Sequence, residues 1–216
     1  MTPAANSPKS SRRYDSSRRQ AAAAATRGDV IAAASRLFVE KGWSGTSMRD
    51  VAAAARVAVE TVYSTVGPKT ALLEAAVDVS VVGDDEPVPL ADRAEFHALA
   101  HGTLHQRAAA AGRLVTTLNA RTAGLHRVLQ HGALSEPALA DLLRKVHTNE
   151  RQTIVDGLRA VAGREPSDIE IDGLQAVLSN DVFLLLTQMS GWSTQQYETW
   201  VADTILRLLH NPKEQT

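Results

Sequence analysis

The chain has 216 residues, is 44% hydrophobic but only 4% aromatic, and carries a formal net charge of -1, so its core must be built from aliphatic side chains and close Ala contacts. It has no cysteine, which excludes disulfides and thiolate metal sites. No apolar run nears the roughly 20 residues that cross a bilayer, and a polar, basic N-terminus argues against a signal peptide; a cytoplasmic protein is expected. The charge is unevenly divided: residues 1–82 hold 11 Lys/Arg against 7 Asp/Glu, and residues 83–216 hold 12 against 17. The front is therefore the part suited to a polyanion.

Residues 1–20 are rich in Ser, Pro and Arg, have almost nothing to bury, and are expected to form a disordered basic tail. A first helix is predicted from the Ala21–Arg27 region to Lys41, because Val30, Ile31, Ala34, Leu37 and Phe38 line one stripe. Gly42 stops it. Ser47-Met48-Arg49-Asp50 resembles a capping box with a carboxylate in place of the usual Glu or Gln, so a short helix is predicted over Met48–Ala55. A turn at Arg56-Val57 leads to a second short helix, Ala58 to Thr65, ended by Gly67. Pro68 then suits the first position of a helix running to Val81, since its missing N–H costs nothing there.

Two short helices joined by a tight turn and preceded by a third make a helix-turn-helix, in which the second short helix enters the DNA major groove. This accounts for a run of poor helix formers at Val57, Val59, Thr61, Val62 and Thr65. A two-turn recognition helix is held by packing, here of Val57 and Val62, rather than by propensity. The outward face is expected to be Val59, Glu60, Tyr63 and Ser64. Val59 suits a thymine methyl and Glu60 a cytosine amine. The hydroxyls of Thr61, Tyr63 and Thr65 and the ammonium of Lys69 suit phosphate oxygens. Thr46 and Ser47, at the entry to the preceding helix, complete the candidate DNA-binding set.

Gly83-Asp84-Asp85-Glu86-Pro87-Val88-Pro89 is the clearest break, and the domain boundary is placed there. The division expected is a helix-turn-helix domain over 21–67, a connecting helix over 68–82 and a helical domain over 83–216. In the rear part helices are predicted over Asp92–Ala100, Thr103–Ala123, Leu125–Ala133, Ser135 to Val161, Asp168–Met189 and from the Ser193 capping box to Leu209. No strand is predicted, and the fold class is all-α.

The segment Val30–Leu73 resembles the DNA-binding domain of TetR-family (tetracycline-repressor-like) transcriptional regulators. The residues that carry the likeness are Ala33-Ala34-Ser35-Arg36-Leu37-Phe38 with Glu40-Lys41-Gly42-Trp43, then Thr46 to Ala52, then Val57, Thr61-Val62-Tyr63, Lys69 and Leu72-Leu73. They cover about a fifth of the chain. The resemblance implies an operator-binding domain followed by a larger ligand-binding domain, and a homodimer built on the last two helices. Three positions depart from the pattern. Arg56 replaces the usual turn Gly, at a cost of about 1–2 kcal/mol if left-handed. Ala58 replaces the usual Ser, losing roughly 1 kcal/mol of cap. Val66 stands where an aromatic is usual.

The reading is a ligand-responsive regulator, a repressor binding a near-palindromic operator as a dimer. The alternative is a helical dimerisation or binding module without specific DNA recognition. No nucleophile–base set, P-loop or dinucleotide glycine pattern is visible, and neither an enzyme nor a cofactor is expected. For an unidentified small-molecule effector the candidate polar linings are Arg113, Thr117, Asn119, His126, His147 and Arg151. His97, His101 and His105 stand four apart, but Gly102 interrupts them, and no metal site is expected. Trp192, Tyr197 and Trp200 are read as a packing anchor.

Overall fold

The computed structural model describes residues 10–84 and 88–209, with side chains from Arg18 onward. Among these residues every regular element is helical. The first four helices are α1 (Ser10–Gly45), α2 (Met48–Ala55), α3 (Val59–Val66) and α4 (Lys69–Val82). Helix α1 reaches back to Ser10, into the segment expected to be a disordered tail; residues 1–9 of that tail lie outside the described residues. The alanines at 21–25 are strong helix formers, and no Gly or Pro stands between Ser10 and Thr26 to stop propagation. Gly42 breaks the α1 backbone as expected, with φ 72° and ψ -179°.

Behind them come α5 (Ala94–His97), α6 (Leu104–Ala133), α7 (Pro137–Ala162), α8 (Asp168–Val177), α9 (Asn180–Leu184) and α10 (Thr194–Leu209). Two boundaries differ from the sequence reading. The helices predicted over 103–123 and 125–133 are one 30-residue helix, α6. Its Gly124 does not end it, because Ala123 and Leu125 are buried on either side and tertiary packing outweighs the propensity cost. Conversely, the helix predicted over Asp168–Met189 is interrupted after Leu178. Ser179 caps α9 by accepting the Val182 N–H. The Leu178 carbonyl, turned out of the helix, accepts from the Asn119 side chain at 2.9 Å. A π-helical turn follows over Leu185–Met189.

Two buried clusters share α6. The front core joins Phe38, Val51, Val62 and Leu72 to Leu125, Val128 and Leu129 of α6 and Leu139 of α7. The rear core joins Ala108, Leu114 and Ala123 of α6 to Leu158, Leu174, Phe183, Tyr197 and Val201. The acidic break therefore divides elements but not cores. Tyr197 is fully buried and edge-on to Phe183, with centroids 5.0 Å apart. Its hydroxyl accepts from Asn119 at 3.0 Å, and burial pushes the phenol up to about 12. The aromatic cluster is thus an anchor for α10, as read from sequence.

The turn into α8 is held by a buried carboxylate. Glu170 accepts from the Arg164 guanidinium at 3.0 and 2.6 Å and from the Ser167 N–H at 2.7 Å. The Arg164 hydrogen bond, aided by Ser167, holds its carboxyl down to about 2. A depressed carboxyl contributes stability that is present above the unfolded pKa, near 4.3 for Glu, and is lost as pH falls through the folded value. Glu170→Gln should therefore cost about 1–3 kcal/mol near neutrality. The gap between wild-type and variant melting temperatures should close as pH falls from about 5 towards 2; a gap that is constant with pH would mean that the charge is not what matters.

Candidate DNA interface and effector cavity

The helix-turn-helix is built from short-range chemistry. Ser47 caps α2 by accepting the Asp50 N–H, while the Asp50 carboxylate accepts the Ser47 N–H and O–H. Those bonds hold the Asp50 carboxyl below its usual range. The α2–α3 turn passes through Arg56 in the left-handed region, φ 58° and ψ 39°. The Arg56 N–H donates to the Ala53 carbonyl and the Val57 N–H to the Ala52 carbonyl, the pairing normally closed by glycine. Ala58 stands at the N-cap of α3 without a side-chain bond. Both departures thus leave the turn intact at an energetic cost. Arg56→Gly should raise stability by about 1 kcal/mol, read as a higher midpoint in urea; an unchanged or lower midpoint would mean that the arginine side chain compensates for its backbone.

On the outer face Glu60, Tyr63 and Ser64 are exposed, Tyr63 by 51%, and Ser64 donates to the Thr61 carbonyl. Thr61 and Thr65 are half-buried. Three expectations need correction. Val59 packs against the front core rather than facing outward, because it starts the buried stripe that Val62 continues. Thr46 is 2% exposed, and its hydroxyl donates to the Leu37 and Gly42 carbonyls. It ties the α1–α2 corner and is closed to DNA. Lys69 donates to the Trp43 carbonyl and lies 4.1 Å over the Trp43 ring, a cation–π contact; burial lowers its pKa. Trp43 in turn stacks on Phe38 at 5.9 Å. Lys69 thus clamps the start of α4 to the end of α1. The exposed cations of the motif include Arg36, Lys41, Arg49 and Arg56, which the sequence reading did not select as DNA contacts although their charge marks them.

Behind the motif lies a cavity of about 630 Å³, within the range of drug-sized pockets. Its walls come from α4 (Val77, Asp78, Val81), α6, α7 and the α8–α9 corner. Of the polar residues expected there, Asn119, His126 and His147 do line it. Arg113 and Thr117 are exposed, roughly half a helical turn around α6 from Asn119, Thr122 and His126. Arg113 lines a separate shallow recess with His97, His101 and Gln106. Arg151 is held by Asp172 and Gln175. Among the described residues no group of three His, Asp or Glu is placed to hold a metal ion.

The residue that the sequence reading missed is Glu150. Its carboxylate lies 3.7 Å from His126 Nδ1 and 3.5 Å from His147 Nδ1. Burial pushes Glu150 up, against the pull of His147. Burial also lowers His126, which meets His147 edge-on at 5.7 Å. Glu150 stands one helical turn from His147, on the same face of α7, and that spacing was the available signal.

Residues 30–76 match the family model of bacterial regulatory proteins, tetR family. That match is to the front of the chain, from Val30 in α1 to Ala76 in α4. The fold as a whole is shared with solved structures of proteins named as TetR-family regulators. A protein from Pseudomonas aeruginosa PAO1, provisionally named a transcriptional regulator, superposes with TM-score 0.63 at 17% identity, over 87% of this chain and 92% of that one. A TetR-family member from Streptomyces coelicolor A3 superposes with TM-score 0.57 at 20% identity, over 85% and 97%. The multidrug binding protein EbrR, complexed with ethidium, gives TM-score 0.54 at 22% identity, over 85% and 97%. No curated protein matches the chain. TetR-family proteins are DNA-binding transcriptional regulators, and among the described residues no helix is long and apolar enough to cross a membrane.

Proposed function

We propose that this protein is a TetR-family, ligand-responsive repressor that binds a near-palindromic operator as a homodimer. The observation that carries this reading is the placement of α4. One end of it is clamped to the helix-turn-helix through Lys69 and Trp43, while Val77, Asp78 and Val81 form part of the cavity wall. An effector that favours one position of α4 changes the separation of two recognition helices that must meet half-sites about 34 Å apart. It need only bind the mismatched state more tightly. The dimer reading is supported by apolar surface on the segment before α10: Leu185 is 54% and Met189 80% exposed, and Val182 and Leu186 are half-buried. Such a face suits isologous pairing. Binding of a small molecule by a protein of this fold, the multidrug binding protein EbrR with ethidium, supports the effector role of the cavity.

The test is to capture fragmented DNA from the source organism at moderate salt and to sequence what is retained. A short, near-palindromic site is expected. Tyr63→Ala should weaken retention about tenfold on all sequences, whereas Glu60→Ala should alter which sequence is preferred. Flat binding even at low salt, where non-specific contacts are strongest, would instead favour a helical module without a DNA role.

A further inference from the structure

The lining of the cavity is chemically one-sided. Four carboxylates reach it, from Asp78, Glu150, Asp172 and Asp181, and no Lys or Arg does. Most of the remaining wall is aliphatic, with Phe96 at one side. Two of the four carboxylates are answered elsewhere. Asp172 accepts from Arg151 and Asp181 accepts from the Gln130 amide at 3.0 Å, whereas burial pushes Asp78 up against the pull of Lys145. Glu150 has only two imidazoles for ion-pair partners among the described residues, neither within 3.4 Å.

A second observation is independent of the carboxylates. His126 is 7% exposed, lines the cavity, and makes no hydrogen bond to protein among the described residues. Its Nδ1 lies 3.7 Å from the Glu150 carboxylate, too far for a hydrogen bond, so the ring keeps capacity for a polar atom in the cavity. His126 and Glu150 thus present one neutral acceptor or donor and one anionic group to the same space.

Resting on the reading of this cavity as the effector site, we infer that its ligand is a lipophilic organic cation, with Glu150 as counter-charge and an apolar body against α6 and α7. A ligand anion would enter among four carboxylates without a compensating cation, which is unfavourable where the dielectric is low. A neutral apolar ligand would displace water from Glu150 and leave its charge unanswered. A cation removes that cost and needs no rearrangement of the wall.

The test uses titration calorimetry on the full-length protein without DNA, with two probes of one shape and opposite charge, tetraphenylphosphonium and tetraphenylborate, and a smaller neutral one, triphenylphosphine oxide. The phosphonium should bind, the borate should bind at least about a hundredfold more weakly, and the oxide should fall between them. Glu150→Gln should weaken the phosphonium by at least about tenfold and leave the oxide nearly unchanged. Asp141→Asn, an exposed carboxylate of the same helix, should change neither. Equal binding of phosphonium and borate, tighter binding of the oxide, or unaltered phosphonium affinity in a Glu150→Gln variant with a wild-type circular dichroism spectrum would each overturn the inference. DNA capture separates this from the regulator reading. Operator retention without phosphonium binding sinks the ligand class alone, and phosphonium binding without DNA retention sinks the regulator alone.

Discussion

Phe38→Ala should destabilise the protein by about 3–5 kcal/mol and remove DNA retention at temperatures where the wild type still binds. Phe38 is fully buried among Val51, Val62 and Leu72, each also at 0% exposure, so its loss leaves a void that four helices line. It is also the surface on which Trp43 stacks, and Trp43 carries the ammonium of Lys69. Truncation therefore removes apolar contact from α1, α2 and α3 and loosens the clamp that fixes the start of α4. Thermal unfolding followed by circular dichroism measures the first effect, and DNA capture over a temperature series the second. Phe38→Leu keeps most of the apolar volume and should recover most of both. A loss below about 1 kcal/mol for the alanine variant would mean that the site collapses around the cavity, the only way such a change is cheap.

The second large effect belongs to the rear core. A Cβ added at Gly112 would lie 2.7 Å from the Glu198 carbonyl oxygen and 3.2 Å from the Ala202 Cβ. The nearest obstacle is backbone, so no rotamer change relieves it. Helices α6 and α10 touch there because glycine allows it, and that approach seats Tyr197, Val201 and Ile205 in the core. Gly112→Val should cost about 3 kcal/mol and should disturb the apolar surface next to α10, shifting sedimentation towards the monomer. Gly112→Ala should cost less, because the gain of about 1 kcal/mol in helix propensity offsets part of the clash. If the two variants were equally stable, the α6–α10 contact would be softer than its geometry implies.

These two sites also mark how far the sequence could be read. The front domain was legible almost residue by residue, because its signals are local. The Ser47–Asp50 capping box, the Gly42 break, the turn at Arg56 and the Gly67 stop each act within four residues, and each appears where the pattern put it. The recognition helix was placed to within one residue. What was misread there were side chains whose partners are far along the chain. Lys69 looks like a free phosphate-binding cation until Trp43, 26 residues earlier, lies beneath it. Thr46 looks like a loop hydroxyl until the Leu37 carbonyl receives it.

The sequence by itself determined an all-helical fold, a helix-turn-helix with its second short helix placed to within one residue, and an apolar C-terminal stretch, because propensity, capping and periodicity are properties of neighbours. Only the tertiary structure decided that α6 runs unbroken through Gly124, that the helix after Asp168 breaks at Ser179, and that Glu150, His126 and Asp78 face one cavity while Arg113 and Thr117 do not. Those outcomes depend on burial and on hydrogen bonds between residues far apart in the chain, such as Asn119 to the Leu178 carbonyl, 59 residues on. Nothing in a local window carries the free energy that settles them.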